Sequence, residues 1–380
     1  TEIYTLSLHD ALPIWRKYDG ITFDPAQEHP GFYNLYQGLA VKPGPGKWDL
    51  FQEHIFSVIS NKDPTICQYI FAWLAHLFQH PGGQRPGVSL VLRGDQGTGK
   101  GCFVGHIGKI VGQHFMHITS PKQLTGRFNA HLKDALLVFC DEGVWGGDKT
   151  AEGTLKAMIT EEYKSIEAKG KDLIMVKNFI RLIIASNNDW VIPAGKWERR
   201  FCCLDVSPIH MQDRAYFAAI HEEMDNGGRE AMLHDLLGLD ISNFDFGNFP
   251  KTNALREQQL RSMSTLEQFW HSRLYSGALL DSEDHWRTDG VLPGEYSPSV
   301  ITQKLYEAYV LYGQRTGNRY LESDAVFMKE LKKLCPSARQ SRRTTLRDGR
   351  KMVYTFPDLK TCREQFIAKT GMIEAWPEEE

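Results

Sequence analysis

The chain has 380 residues, room for two or three domains, and its make-up of 42% hydrophobic, 24% charged and 11% aromatic residues is that of a globular protein with real cores. A formal net charge of −3 excludes a global basic field, so any nucleic-acid binding must come from local patches. Seven cysteines, an odd number without CxxC spacing, argue against a disulfide framework or zinc knuckle and for a reducing cytoplasm; no apolar run reaches the length of a membrane span.

Residues 1–14 contain TLSLHDALPI (Thr5–Ile14), which matches one reading frame of a common sequencing adapter, so they are set aside and the natural chain is expected from Trp15. Residues 15–86 read as a small helical region. In WDLFQEHIFSVIS, Leu50, Phe51, Ile55, Phe56 and Ile59 recur at helical spacing behind a possible Asp49 cap. A second helix is expected from Pro64 to His80, ended by Pro81-Gly82-Gly83.

Residues 87–207 alternate strand and helix. VSLVLR (Val88–Arg93), ALLVFC (Ala135–Cys140) and RLIIAS (Arg181–Ser186) are short apolar runs typical of buried strands, which predicts a parallel α/β sheet. Residues 208–263 read as a helical linker or lid. Residues 264–380 carry helices and then TLRDGRKMVYTF, a hairpin signal around Asp348-Gly349, which suggests a winged-helix-like unit.

The chemistry concentrates just past the strand ends. GDQGTGKGCF fits G-x-x-x-x-G-K at Gly94, Gly99 and Lys100, with Gly97 and Thr98 inside the loop. Glycines let backbone N–H groups turn inward on phosphate oxygens, the next helix presents its positive end, and Lys100 would reach the β- and γ-phosphates. Two residues depart from the usual pattern: Gly101 stands where Ser or Thr ligates Mg²⁺, and Cys102 is a poor ligand for a hard cation. The strand ending in Asp141-Glu142 supplies a carboxylate for Mg²⁺ and a general base. Asn187, or Asn188, would orient a water and touch the γ-phosphate. Arg199 and Arg200 lie where ring ATPases offer an arginine to a neighbouring subunit's nucleotide. ATP and Mg²⁺ are therefore the expected cofactors.

Two basic stretches suit DNA. SIEAKGKDLIMVK reads as a hairpin with Lys169 and Lys171 at its tip. ARQSRRTTLRDGRK places Arg342, Arg343 and Arg347 on the expected wing, behind a helix over about 323–334.

Taken together, GDQGTGKGCF, GRFNAHL (Gly126–Leu132), DEGVWGGDK (Asp141–Lys149), ASNNDWVIPAG (Ala185–Gly195) and ERRF (Glu198–Phe201) resemble the superfamily 3 helicase-like ATPase of phage and plasmid primase-helicases, often met in prophages as a domain of unknown function. The likeness covers about 34–260. It implies an AAA+-type core, homo-hexameric rings, ATP sites between subunits, 3′–5′ unwinding of single-stranded or forked DNA, an upstream primase or polymerase domain, and a cytoplasmic, mobile-element setting. The expected function is thus an ATP-dependent DNA helicase motor, an ATP hydrolase. The alternatives are an AAA+ ATPase that remodels or loads replication proteins, and a nucleotide-gated DNA-binding module with a crippled Mg²⁺ site.

Overall fold

The computed structural model describes residues 17–142, 149–192, 194–195, 198–280, 286, 298–318, 320–345, 349–372 and 376–377. Residues 1–14, the segment 143–148, the acidic tail 378–380, and Arg347 and Asp348 of the expected wing lie outside the described residues.

The strands in chain order are β1 (Gly20–Thr22), β2 (Phe32–Asn34), β3 (Ser89–Arg93), β4 (Phe115–Ile118), β5 (Leu137–Cys140), β6 (Tyr163–Ile166), β7 (Ile174–Lys177), β8 (Arg181–Ser186), β9 (Phe201–Asp205), β10 (Ser299–Ile301), β11 (Arg339–Thr345) and β12 (Gly349–Thr355). The helices are α1 (Asp49–His54), α2 (Pro64–Gln79), α3 (Lys100–Val111), α4 (Pro121–Thr125), α5 (Lys149–Thr160), α6 (Arg214–Glu223), α7 (Arg229–Gly238), α8 (Asn253–Ser262), α9 (Thr265–Ser276), α10 (Thr302–Arg315), α11 (Asp324–Leu334) and α12 (Leu359–Thr370).

The chain is a mixed α/β protein built on a parallel central sheet of order β4-β5-β8-β3-β9. The inner strands β3, β5 and β8 are buried along nearly their whole length, and their centres read LVL, LVFC and LIIA, so no alternation survives there in the sequence. Strands β4 and β9 escape the sequence reading. FMHI is short and carries a histidine, and FCCLD directly follows the arginine pair that drew attention as a site.

The two expected N-terminal helices are present with different punctuation. Asp63 caps α2 by accepting from Thr65 N at 2.8 Å and Ile66 N at 3.0 Å. Asp49 does not cap α1; the Glu223 carboxylate of α6 does, accepting from Leu50 N at 3.1 Å and Phe51 N at 3.0 Å. The helix widens to π-type turns over Ile55–Ile59, which buries Phe51, Ile55 and Ile59 and leaves Leu50 and Phe56 exposed.

Stretches read as linker join the sheet's own core. Buried side chains from Trp48 to Leu255 form one continuous cluster, including Ile220, Met224, Leu233 and Leu236 of α6–α7. A second cluster runs from Leu266 to Met372 around the sheet β10-β12-β11. The basic hairpin exists as the antiparallel pair β6–β7, turned at Gly170 with φ +75°. Strands β11 and β12 pair up to Thr345 and Gly349. Among the described residues no helix is long and apolar enough to cross a membrane.

Candidate functional site

The loop between β3 and α3 is held open by backbone that only glycine adopts freely: φ is +84° at Gly97 and +102° at Gly99. Lys100 is buried and donates to the carbonyl oxygens of Gly94 and, at 2.8 Å, Asp95. Burial lowers its proton affinity, which Asp141 and Asp95 oppose. Thr98 is also buried, and its hydroxyl donates to Asp95 O at 2.9 Å, so it serves the loop itself.

Beside the loop opens a cleft of about 760 Å³ at the carboxyl ends of the parallel strands, the usual ligand position in open α/β sheets. Gly97, Gly99, Lys100, Gly101 and Cys102 line it from the loop and the first turn of α3. Asp141 and Glu142 line it from the end of β5, and Asn187 from the end of β8. Thus eight of the sequence-selected positions, from Gly97 to Asn187 in sequence, converge on one cavity. Asp141 has the His117 imidazole 3.7 Å away. Glu142 is exposed and left-handed at φ +60°, an uncommon backbone for a non-glycine residue. The structure separates the two asparagines: Asn188 is engaged with Ser186 Oγ through its backbone N–H at 3.1 Å, and Asn187 faces the cleft.

Other sequence-selected residues are not brought there. Gly94 and Thr98 do not line the cleft. The buried Glu198 carboxylate accepts from the backbone N–H groups of Arg199 and Arg200 at 3.0 and 2.7 Å, and neither arginine lines the cleft. Lys169 and Lys171 are exposed at the β6–β7 tip, and Arg342 is exposed on β11. Arg343, half-buried, donates from Nε to Ser341 Oγ at 3.0 Å.

Helix α6 supplies a further wall, Arg214, Phe217 and His221, that none of the sequence motifs marks. Their spacing of three and four residues was the available signal, since it puts them on one helix face. Gln212 N donates to Gly97 O at 3.1 Å, tying the entry to α6 directly to the glycine loop.

Fold and cleft together define a mixed α/β protein whose candidate site sits at the carboxyl ends of a parallel sheet. A family of unknown function (DUF5906) matches residues 92–200, the span from the end of β3 to Arg200. The DNA primase-polymerase of Nitratiruptor phage NrS-1 is 25% identical over 238 residues, which is 62% of this chain and 32% of that protein. The chain therefore spans about a third of that relative's length. Two apo structures of the NrS-1 C-terminal region share the fold, each with TM-score 0.67 over 88% of this chain and 84% of the other, at 19% and 18% identity. A phage primase-related domain is what these likenesses support.

They also correct the expected function. The relative that matches is a DNA primase-polymerase, so the helicase motor, the ATP hydrolase activity and the ATP-driven remodelling alternative are overturned. The physical reason lies in what the motifs encode. A glycine loop, a lysine and a carboxylate fix where phosphates and a metal sit, and carry no instruction about what the bound nucleotide is used for.

Proposed function

We propose that this chain is a nucleotide- and DNA-binding portion of a phage-type DNA primase-polymerase. The observation that carries the reading is the convergence of Lys100, Asp141 and Asn187 on one cleft beside the glycine loop, in a chain related to such a protein. The ligand is a nucleoside triphosphate. The loop backbone from Gly97 to Cys102 and the N-terminal turn of α3 receive its phosphates, and Lys100 swings from the Gly94 and Asp95 carbonyls onto them. Asn187 and Glu142 contact the terminal phosphate and its waters.

A divalent ion fits here as well. Asp141 offers hard oxygen donors, and Mg²⁺ commonly takes one or two carboxylates, the phosphates and several waters. That coordination needs no hydroxyl at position 101. DNA runs past Lys169 and Lys171 on the β6–β7 tip and past Arg342, Arg343 and Arg347, whose charges suit backbone phosphates. The finer fold in this reading is a P-loop-type core followed by a winged-helix-like unit, for which β10-β12-β11 with α10 and α11 is the support.

Binding of a fluorescent nucleoside triphosphate to the full chain with Mg²⁺ tests the reading. Lys100→Ala should weaken it by about 10–100-fold, the loss expected for a charge-assisted contact. Single-stranded template DNA should alter that affinity in the parent chain. Binding indifferent to both the substitution and the DNA would overturn the reading.

A further inference from the structure

We propose that Cys102, His106 and His221 form a site for a zinc-class divalent cation in the wall of the cleft, distinct from the magnesium position at Asp141. Their ligand atoms all lie within 4.8 Å of one another. Cys102 and His106 stand four residues apart on α3 and so share a face, and α6 brings His221 against that face.

The histidines are already arranged as a pair. His106 is 1% exposed, and its Nε2 lies 2.8 Å from Nδ1 of His221. One of these two nitrogens must hold the proton between them. The remaining nitrogen of His106, Nδ1, has no hydrogen-bond partner among the described residues. A cation takes the place of the shared proton and draws on a lone pair from each ring. Zinc–nitrogen bonds of about 2.0–2.1 Å at a tetrahedral angle require the nitrogens to part by only about half an ångström. His221 is on the exposed side of α6 and can supply that movement.

The donor set selects the ion. One sulfur and two imidazole nitrogens suit a borderline-soft cation such as Zn²⁺ and not Mg²⁺. Burial pushes the Cys102 thiol up to about 11, so at neutral pH its proton leaves for solvent only as a metal–sulfur bond forms. Lys109 and Arg229 stand nearby and act against positive charge at His106, and Asp225, which pairs with both, offsets part of that. Cys102 and His221 also line the cleft, so the fourth position opens onto it and is free for a water or a phosphate oxygen. Bound metal would staple α6 to α3 and fix the cleft wall that Phe217 shares. The site does not depend on the nucleotide reading; it rests on three side chains alone.

Titration of the full chain with Co²⁺ tests it. One equivalent should produce a thiolate-to-cobalt charge-transfer band, Zn²⁺ should remove it, and about one proton should be released per ion. Cys102→Ser should abolish the band, and His221→Gln should weaken binding by about 10–100-fold or more, the cost that even an outer-shell partner commands. Position 221 is exposed, so the second variant keeps the fold, which its thermal melt verifies. Absence of a sulfur band, or binding unchanged in both variants (an adventitious ion only), would overturn the proposal.

Discussion

The His54 imidazole occupies the space that a side chain at Gly99 would need. A Cβ built on Gly99 comes 2.4 Å from His54 Cε1 and 2.9 Å from Phe217 Cε1. His54 Nε2 also lies 3.3 Å from Gly99 O. The glycine loop is thereby wedged between α1 and α6. Gly99→Ala, already strained at φ +102°, should lower stability by about 1–3 kcal/mol and abolish nucleotide binding. Thermal melts and a nucleotide titration measure the two effects; a variant that melts and binds like the parent contradicts the wedge.

Gly101 behaves differently. Nothing lies within 4 Å of a Cβ built there, and its backbone is helical. Gly101→Ser should be accepted, should raise stability by about 0.5 kcal/mol through helix propensity, and should leave Mg²⁺-dependent nucleotide binding equal or tighter. Weaker binding would mean that the position needs glycine for contact with the ligand.

Asn187 and Asn188 should separate in the same assay. Asn187→Ala should reduce nucleotide affinity, whereas Asn188→Ala removes only the Nδ2 contact to Ser186 Oγ at 3.4 Å, keeps the backbone N–H bond to the same oxygen, and should leave affinity close to that of the parent. The reverse pattern would reassign the cleft residue.

The β6–β7 tip gives a salt-dependent prediction. Alanine at both Lys169 and Lys171 should weaken single-stranded DNA binding and flatten its dependence on salt, since each lost phosphate contact lowers the slope by about 0.7. Anisotropy across a salt series measures this; an unchanged slope places the DNA elsewhere.

Acid sensitivity follows from three buried imidazoles. Burial lowers His54, His76 and His106 each to about 4. Because the unfolded chain takes up these protons near 6.5 and the folded chain only near 4, stability is full above about 6.5 and falls as the pH drops from there to 4. Melting temperature against pH should show that limb, and His54→Gln should make it shallower.

Much of the site was legible locally. The strand, the glycine loop and the first turn of α3 are contiguous, and their conformation follows from glycine φ values and apolar runs within a dozen residues. Asp141 and Asn187 were legible because each ends an apolar strand. The α6 wall was not: Arg214, Phe217 and His221 come from a segment whose polar exterior reads as linker, and only its packing under Glu223 and Met224 turns one face to the cleft. Arg199 and Arg200, expected to reach a neighbouring subunit's nucleotide, do not line this chain's cleft, and Glu198 accepts from their backbone N–H groups.

The sequence by itself determined the parallel α/β core, the loop at Gly94–Lys100 and the carboxylate that faces it, because these depend on short-range sterics and on burial from both sides. Tertiary structure alone decided which asparagine faces the cleft, what caps α1, and that Cys102, His106 and His221 meet. The last two depend on contacts between segments more than a hundred residues apart, for which local propensity carries no information, and the first on a turn at Ser186 that the fold of the sheet sets. The use made of a bound nucleotide lies further still from the motif, since phosphate recognition is the same physics whichever reaction it serves.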